Sequence, residues 1–251
     1  MNEFAGTGAL VRAHVHRDRL RIAVWIGSIV GLVAAATSSV KALYPTQADL
    51  DAAARAAQDS AVAKAFKGPA QALDTIGGQV AFQIVVFGIV AVALMSLLAV
   101  VRLTRAEEEA GRLELIRALP VGRRAPLLSA LVVVAGMDIA VGALVTLALL
   151  AYGLPAAGSA VIGVAFAAVG FVFAATAAVT AQITENARVA AGIPGGALAA
   201  AFVLRAIGDV GNGVLSWLSP IGWAQKARPY AGEQWWPLLL AVVTAAVLVP
   251  V

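Results

Sequence analysis

The stretch that decides the fold runs from residue 125 to residue 184: APLLSALVVVAGMDIAVGALVTLALLAYGLPAAGSAVIGVAFAAVGFVFAATAAVTAQIT. Asp138 is its one charged residue. A helix needs about 20 apolar residues to cross a bilayer, so this stretch is too long for a single span. Gly and Pro interrupt helices, and the tetrapeptide YGLP at 152–155 contains both. The stretch therefore predicts two membrane-spanning helices joined by a turn.

The composition of the whole chain agrees with a lipid environment. Of its 251 residues, 61% are hydrophobic and 13% are charged, and the mean hydropathy is +0.89. Soluble domains are nearer half apolar and a quarter charged. We therefore predict an all-α membrane protein, a single six-helix domain over 1–251, with spans at about 22–40, 78–101, 126–151, 158–180, 188–207 and 235–251. The sixth span has no polar flank, so we expect the native protein to continue.

Positive charge predicts the direction of the spans, because cytoplasmic loops carry the excess of Lys and Arg. With the N-terminus in the cytoplasm, 11 of the 18 Lys and Arg residues lie inside and 7 lie outside. We therefore expect a cytoplasmic N-terminus. The net charge of +4 then indicates topology and contact with anionic lipid, and no nucleic-acid partner is predicted.

Residues 104–119, TRAEEEAGRLELIRAL, form the most informative polar segment. Thr104 and Glu107 have the spacing of a capping box, which predicts the start of a new helix. Glu108 and Arg112 are four residues apart and would support it. The segment therefore predicts a short amphipathic helix on the cytoplasmic face. From the residues alone, docking of a partner and a charged surface helix without a partner are equally good interpretations.

Two segments are predicted at the outer face. Residues 46–68 form an external helix, capped by Thr46 and ended by Gly68 and Pro69, which we interpret as a solvated lid. Residues 208–234 are broken by Gly and Pro into short interfacial or re-entrant helices. Aromatic side chains that gather there are typical of a membrane interface. They are Trp217, Trp223, Tyr230, Trp235 and Trp236.

Patterns for catalysis are not evident. The chain has no G-x-x-x-x-G-K-[ST] phosphate-binding loop and no Cys. His14 and His16 are two residues apart and do not share a helix face, so no metal site is predicted. We predict no catalytic residue.

Ionisable residues within spans are the remaining candidates. Asp138 is a functional candidate by its position, and a structural hydrogen bond to a neighbouring helix is the alternative interpretation. Arg205 and Asp209 are four residues apart and predict an internal pair. The G-x-x-x-G steps at 27–31 and 192–196 would permit close helix packing.

Several stretches of the sequence resemble a known family. RAEEEAGRLELIRALPVGRRAPL, residues 105–127, resembles the cytoplasmic loop of actinobacterial ABC-2-type permeases that export polyketide antibiotics, tetronasin-like ionophores and other drugs. SPIGW at 219–223, RPY at 228–230 and WWPL at 235–238 resemble the segment before that family's sixth span. We interpret the chain as the N-terminal half of such a permease.

The resemblance implies a permease subunit of an ATP-driven exporter for lipophilic drugs or polyketide antibiotics in the bacterial cell membrane. Such a permease is not an enzyme, since ATP and Mg²⁺ are bound by a separate ATPase subunit, here expected in two copies. A second six-helix half would complete the pathway. The segment 104–119 would be the coupling helix that contacts the ATPase. Its expected contact residues are Arg105, Glu107, Glu108, Glu109, Arg112 and Glu114.

Two other functions stay open. Asp138 would serve as a proton relay if the chain were a proton-coupled secondary transporter. A membrane scaffold subunit that binds partners without transport is the third interpretation.

Overall fold

The computed structural model describes residues 3–58, 60–109 and 122–249, and the regular structure in these ranges is helical. The helices are α1 (Thr7–Leu43), α2 (Gln47–Gln58), α3 (Ala61–Lys67), α4 (Ile76–Leu103), α5 (Arg105–Glu109), α6 (Ala125–Ala151), α7 (Ala156–Ile183), α8 (Ala187–Val210), a 3₁₀ turn (Leu215–Leu218), α9 (Pro220–Lys226) and α10 (Trp236–Leu248).

Five helices of the described ranges are long and apolar enough to cross a membrane: α1, α4 with its extension α5, α6, α7 and α8. The prediction of an all-α membrane protein is confirmed. The helix at the predicted sixth span, α10, has 13 residues and is shorter than the roughly 20 that a span needs. The sixth span and the orientation in the membrane therefore stay predictions.

The stretch from 125 to 184 forms two helices, as predicted. Helix α6 ends at Ala151 and α7 begins at Ala156. Gly153 has φ +79°, a backbone conformation that glycine adopts without steric cost. Its N–H donates to the carbonyl of Leu150 at 2.8 Å, which closes the turn.

The connections between spans gather at two ends of the bundle. The basic end contains residues 3–21, 102–109, 122–125 and 181–190, and Arg17 of α1 meets Glu107 of α5 there. The aromatic end contains residues 41–58, 60–76, 150–158 and 205–238, and Lys41 donates to the carbonyl of Tyr152 there.

Helix α7 lies at the centre of the bundle, between α4, α6, α8 and α10. Its small residues allow close approach. A Cβ added at Gly163 would lie 2.3 Å from the carbonyl oxygen of Gly142 on α6, and one added at Gly88 of α4 would lie 2.2 Å from the ring of Phe166. Substitution at these glycines would force α6 or α4 away from α7.

The two G-x-x-x-G steps do not make the packing contacts predicted for them. Among the residues that the structure describes, nothing lies within 4 Å of a Cβ built at Gly27, Gly31, Gly192 or Gly196. The glycine faces of α1 and α8 therefore point away from the other described helices. The close helix contacts are made by Gly88, Gly142 and Gly163 instead. Three-residue spacing alone does not say which face of a helix is covered.

The external segment 46–68 forms two helices where one was predicted. Thr46 begins α2 as expected: the N–H of Asp49 donates to its Oγ1 at 3.3 Å, and the N–H of Thr46 donates to the Asp49 carboxylate at 3.1 Å. Ser60 is extended, and its Oγ accepts from the N–H of Ala63 at 3.1 Å, so it caps a second helix. Gly68, with φ +102°, ends α3 as predicted.

Candidate functional site

The short helix α5 begins where Thr104 interrupts α4. Thr104 has φ −120° and ψ −87°, outside the helical region. Its carbonyl accepts the N–H groups of Glu107 and Glu108, each at 3.1 Å, and so starts a new helical turn. Helix α5 is thus a separate helical segment that follows α4 at the basic end of the bundle.

The predicted capping box between Thr104 and Glu107 is wrong. The Thr104 hydroxyl donates back to the carbonyl of Val100 at 2.7 Å, as Thr side chains in the last turn of a helix commonly do. The Glu107 carboxylate instead accepts from Nη1 of Arg17 at 2.8 Å. Long-range ion pairing therefore replaces the local cap.

Glu107 attaches α5 to α1. The residue is 3% exposed, and a buried carboxylate is costly unless it is paired. Arg17 also donates to Oδ2 of Asp18 at 3.2 Å, and Oδ1 of Asp18 accepts from Nη2 of Arg102 at 2.7 Å. This chain of charges links α1, the end of α4 and α5.

The rest of α5 contacts α7 and α8. Arg105 donates from Nε to the carbonyl of Ala181 on α7 and pairs with Glu108 through Nη1. Oε1 of Glu109 accepts from the backbone N–H of Ala187, the first residue of α8, at 2.6 Å. A carboxylate is stabilised at a helix N-terminus by the helix dipole. Helix α5 is thus fixed to three spans at once.

Two of the predicted coupling residues, Arg112 and Glu114, lie outside the described residues, as does the segment 104–119 beyond Glu109. The four that are described, Arg105, Glu107, Glu108 and Glu109, all contact partners within the chain. Their role in binding an ATPase stays a prediction.

A cleft of about 220 Å³ opens between α1, α4 and α6 at the basic end. Its charged lining residues are Asp18, Arg21 and Arg102, and its apolar lining residues are Ile22, Trp25, Leu98, Ala99, Leu103, Val133 and Met137. This cleft was not predicted from the sequence, because its arginines were interpreted only as topology signals. One signal was present: Trp25 stands apart from the four tryptophans of the aromatic end.

Asp138 lies where α4, α6 and α7 meet. It is fully buried, and its Oδ1 accepts from the hydroxyl of Ser96 on α4 at 2.6 Å. A Cβ added at Gly170 of α7 would lie 2.5 Å from Cγ of Asp138. The hydrogen bond to a neighbouring helix, one of the two interpretations from sequence, is therefore present. Oδ2 has no hydrogen-bond partner within the described ranges.

Arg205 and Asp209 form the predicted internal pair, with 3.2 Å between Nη1 and Oδ2. Both side chains are buried, and further contacts compensate their charges. Nη2 of Arg205 donates to the carbonyl of Ala65 on α3 at 2.7 Å, and Ser216 donates to Oδ1 of Asp209 at 2.7 Å. The pair thus connects α3 to the end of α8 that lies at the aromatic end of the bundle.

The residues predicted at the membrane interface fall into two groups by position, with the four tryptophans in one and Tyr230 in the other. Trp217 stacks on Trp236 with ring centroids 5.1 Å apart, and Nε1 of Trp223 donates to the carbonyl of Trp217 at 2.6 Å. Trp235 and Trp236 are both exposed. These four tryptophans lie at the surface of that end or just beneath it.

Tyr230 differs from the four tryptophans, because its ring lies inside the bundle between α4 and α7. A Cβ added at Gly77 or Gly158 would lie 2.7 Å or 2.1 Å from this ring. Its hydroxyl is 2.8 Å from Oγ of Ser159. Burial raises the pKa of Tyr230 to about 12. The aromatic segment is thereby fixed to two spans.

Comparison with known proteins agrees with a transport subunit. The family model described as multidrug efflux system permease Rv1217c, C-terminal domain, matches residues 15–251. The multidrug efflux system permease protein Rv1217c of Mycobacterium tuberculosis (strain ATCC 25618 / H37Rv) is 45% identical over 246 residues, which cover 98% of this chain and 44% of that relative. The chain thus spans less than half the length of this relative. The matching model is named for a C-terminal domain, whereas the resemblance had suggested a first half. The chain belongs to the ABC-2-type permeases, in the family of the multidrug efflux system permease Rv1217c.

Proposed function

We propose that the chain is the transmembrane permease part of an ATP-driven exporter of lipophilic drugs or polyketide antibiotics. In this proposal it lies in a bacterial cell membrane, with the basic end in the cytoplasm and α10 as part of a sixth span. The name of the relative supports efflux, and the excess of Arg at the basic end supports the orientation. ATP and Mg²⁺ would be bound by a separate ATPase, since the chain has no phosphate-binding loop.

The attachment of α5 to three spans is the observation that carries this proposal. A partner that pushed on the segment 104–119 would move α1 through Glu107, α7 through Arg105 and α8 through Glu109. Packed helices respond to such displacement as rigid bodies. The motion would reach the membrane interior without any nucleotide site in this chain.

A second six-helix half would complete the pathway, with two copies of the ATPase. Helices α1 and α8 are the least buried of the five long helices, so their exposed faces could pack against the second half. Exposed apolar side chains on them include Val24, Leu32, Val203 and Ile207. Substrate would leave along the interface between this half and the second half.

Transport by inside-out membrane vesicles tests the proposal. Vesicles from cells that express the permease together with its ATPase and the second half should accumulate a lipophilic fluorescent dye when ATP is added. Vanadate should stop uptake, and a protonophore should leave at least about half of it. Vesicles without the permease serve as the control.

A proton-coupled transporter is the second candidate. The burial of Asp138 favours it, since one of its carboxylate oxygens has no partner among the described residues. It predicts uptake that the protonophore abolishes and that continues without ATP. A scaffold subunit predicts no difference from the control vesicles in either condition.

A further inference from the structure

The cleft between α1, α4 and α6 has a charged mouth and an apolar interior. Its charged side chains come from Asp18 and Arg21, near the start of the apolar part of α1, and from Arg102 in the last turn of α4. Trp25, Leu98 and Met137 lie deeper along the same helices. A ligand that fills this cleft must therefore have a polar end and an apolar body.

The charges at the mouth do not cancel. Both carboxylate oxygens of Asp18 accept hydrogen bonds, Oδ1 from Arg102 and Oδ2 from Arg17. Arg17 also donates to the carboxylate of Glu107, so its positive charge is neutralised. Within the described ranges Arg21 is exposed and has no ion-pair or hydrogen-bond partner. It leaves the mouth with one excess positive charge.

Arg102 adds a second donor. Its Nε is shielded from solvent and has no hydrogen-bond partner within the described ranges, although Nη2 binds Asp18. A shielded N–H without an acceptor is unfavourable, and an oxygen supplied by a ligand would satisfy it. Arg21 and Arg102 thus favour a negatively charged group at the mouth.

We propose that this cleft binds an amphiphilic anion, with its charged group at Arg21 and Arg102 and its hydrocarbon against Trp25, Leu98 and Met137. The ligand is either a soluble lipophilic acid or an anionic lipid of the inner leaflet, because both present this chemistry. The inference rests on the proposed function only for the orientation and for what happens to the ligand after binding. Binding itself needs no ATPase, so it can be tested separately.

Quenching of Trp25 fluorescence measures occupancy of the cleft. The protein is reconstituted into phosphatidylcholine nanodiscs, and 9,10-dibromostearate is added at a pH where the acid is ionised. Bromine quenches tryptophan only at contact, and the component lost in Trp25→Phe isolates the signal of this residue. We expect saturable quenching by the acid and weaker, non-saturable quenching by its methyl ester.

Variants separate the charged mouth from the apolar interior. Arg21→Gln should weaken binding about fivefold, the effect of one Arg on an anionic amphiphile at a membrane surface. Arg19→Gln, also exposed on α1 but outside the cleft, should bind as the wild type does. Ala99→Phe should fill the cleft and abolish saturation, and its unfolding temperature checks that the fold is intact.

Brominated lipids distinguish the two sources of the ligand. Trp25 quenching that is stronger with brominated phosphatidylglycerol than with brominated phosphatidylcholine supports an anionic lipid, whereas quenching selective for the free acid supports a soluble amphiphile. The proposal is overturned if acid and ester quench alike and the two lipids also quench alike. It is also overturned if Arg21→Gln binds as tightly as Arg19→Gln.

Discussion

The carboxylate of Glu109 lies 2.6 Å from the backbone nitrogen of Ala187, so the end of α5 supplies an acceptor to the first N–H group of α8. Asn186 caps the next N–H groups of the same helix, at 2.8 Å to Arg188 and 3.3 Å to Val189. The start of α8 is therefore shared between its own cap and a residue from 78 positions earlier in the chain. This contact links the end of α5 directly to the start of α8.

Removing this contact should weaken coupling more than it weakens folding. We expect Glu109→Ala to lower ATP-driven dye uptake about two- to fivefold, the range that corresponds to a charge at a helix N-terminus. Uptake and ATP hydrolysis are measured on the same vesicles, and hydrolysis should fall less than uptake. Glu185→Ala removes an exposed carboxylate beside the same helix and should change neither rate. Equal effects of the two substitutions would refute a special role for Glu109.

The pair of Arg17 and Glu107 should couple α1 to α5 in energy as well as in geometry. Glu107→Ala should lower the free energy of unfolding by about 1–3 kcal/mol, because a buried charge-assisted hydrogen bond is lost. A double-mutant cycle with Arg17→Ala, measured by unfolding in detergent, isolates the pairwise energy.

The contact between Arg124 and Glu3 is the matched control for this cycle. Its partners lie 3.1 Å apart at the same end of the bundle, but their side chains are 47% and 59% exposed. Exposed pairs contribute about 0–1 kcal/mol, so its coupling energy should be the smaller of the two. Similar energies in both cycles would contradict the assignment of Glu107 to a buried link.

Gly170 should tolerate no side chain while Asp138 is present. The added Cβ of Gly170→Ala would lie 2.5 Å from Cγ of Asp138, and overpacking of this kind costs about 1–3 kcal/mol. The added Cβ of Gly136→Ala on α6 would have no described atom within 4 Å, so this substitution should be neutral or slightly stabilising. Thermal unfolding in detergent compares the two. If Asp138→Ala does not reduce the effect of Gly170→Ala, the two residues do not meet as described.

Tyr230 should make stability depend on pH in the alkaline range. Its pKa rises from the ordinary 10.0 to about 12 because of burial, while the hydrogen bond to Ser159 opposes the rise. A raised pKa means that the folded state holds the proton longer than the unfolded chain does. Its contribution to stability is therefore complete below about pH 10 and is lost as the pH rises toward about 12.

Comparison with Tyr230→Phe isolates this contribution from the titration of lysines. The difference in unfolding free energy between the wild type and the variant should shrink steadily between about pH 10 and 12. A difference that does not change with pH would contradict the burial of the phenol.

The helices α6 and α7 could be predicted from the sequence because crossing a bilayer leaves a local signature, whereas α1 begins at Thr7, 15 residues before the predicted first span. The predicted spans 126–151 and 158–180 differ from α6 and α7 by at most three residues at any end. Hydropathy and a Gly-Pro turn are properties of neighbouring residues, so a single sequence contains them.

The contacts of the candidate site could not be predicted in the same way. Glu107 was paired with Thr104, three residues before it, but its partner is Arg17, which lies 90 positions away. Tyr230 was predicted to lie at the membrane interface with the tryptophans because it is aromatic. Its ring lies inside the bundle, where Gly77 and Gly158 make room for it. Which side chains meet depends on how the spans pack, and local spacing carries no record of that.

A cross-link from α5 to its partner tests the central claim most directly. The chain has no Cys, so Glu108→Cys introduces a single reactive thiol on α5. A maleimide benzophenone attached there is activated by light in native membranes, and mass spectrometry identifies the captured protein. Asp51→Cys on α2 is the control at the opposite, aromatic end of the bundle. The account predicts that an ATP-binding cassette ATPase is captured from residue 108 and not from residue 51; capture of no ATPase from residue 108, or equal capture from both residues, would contradict it.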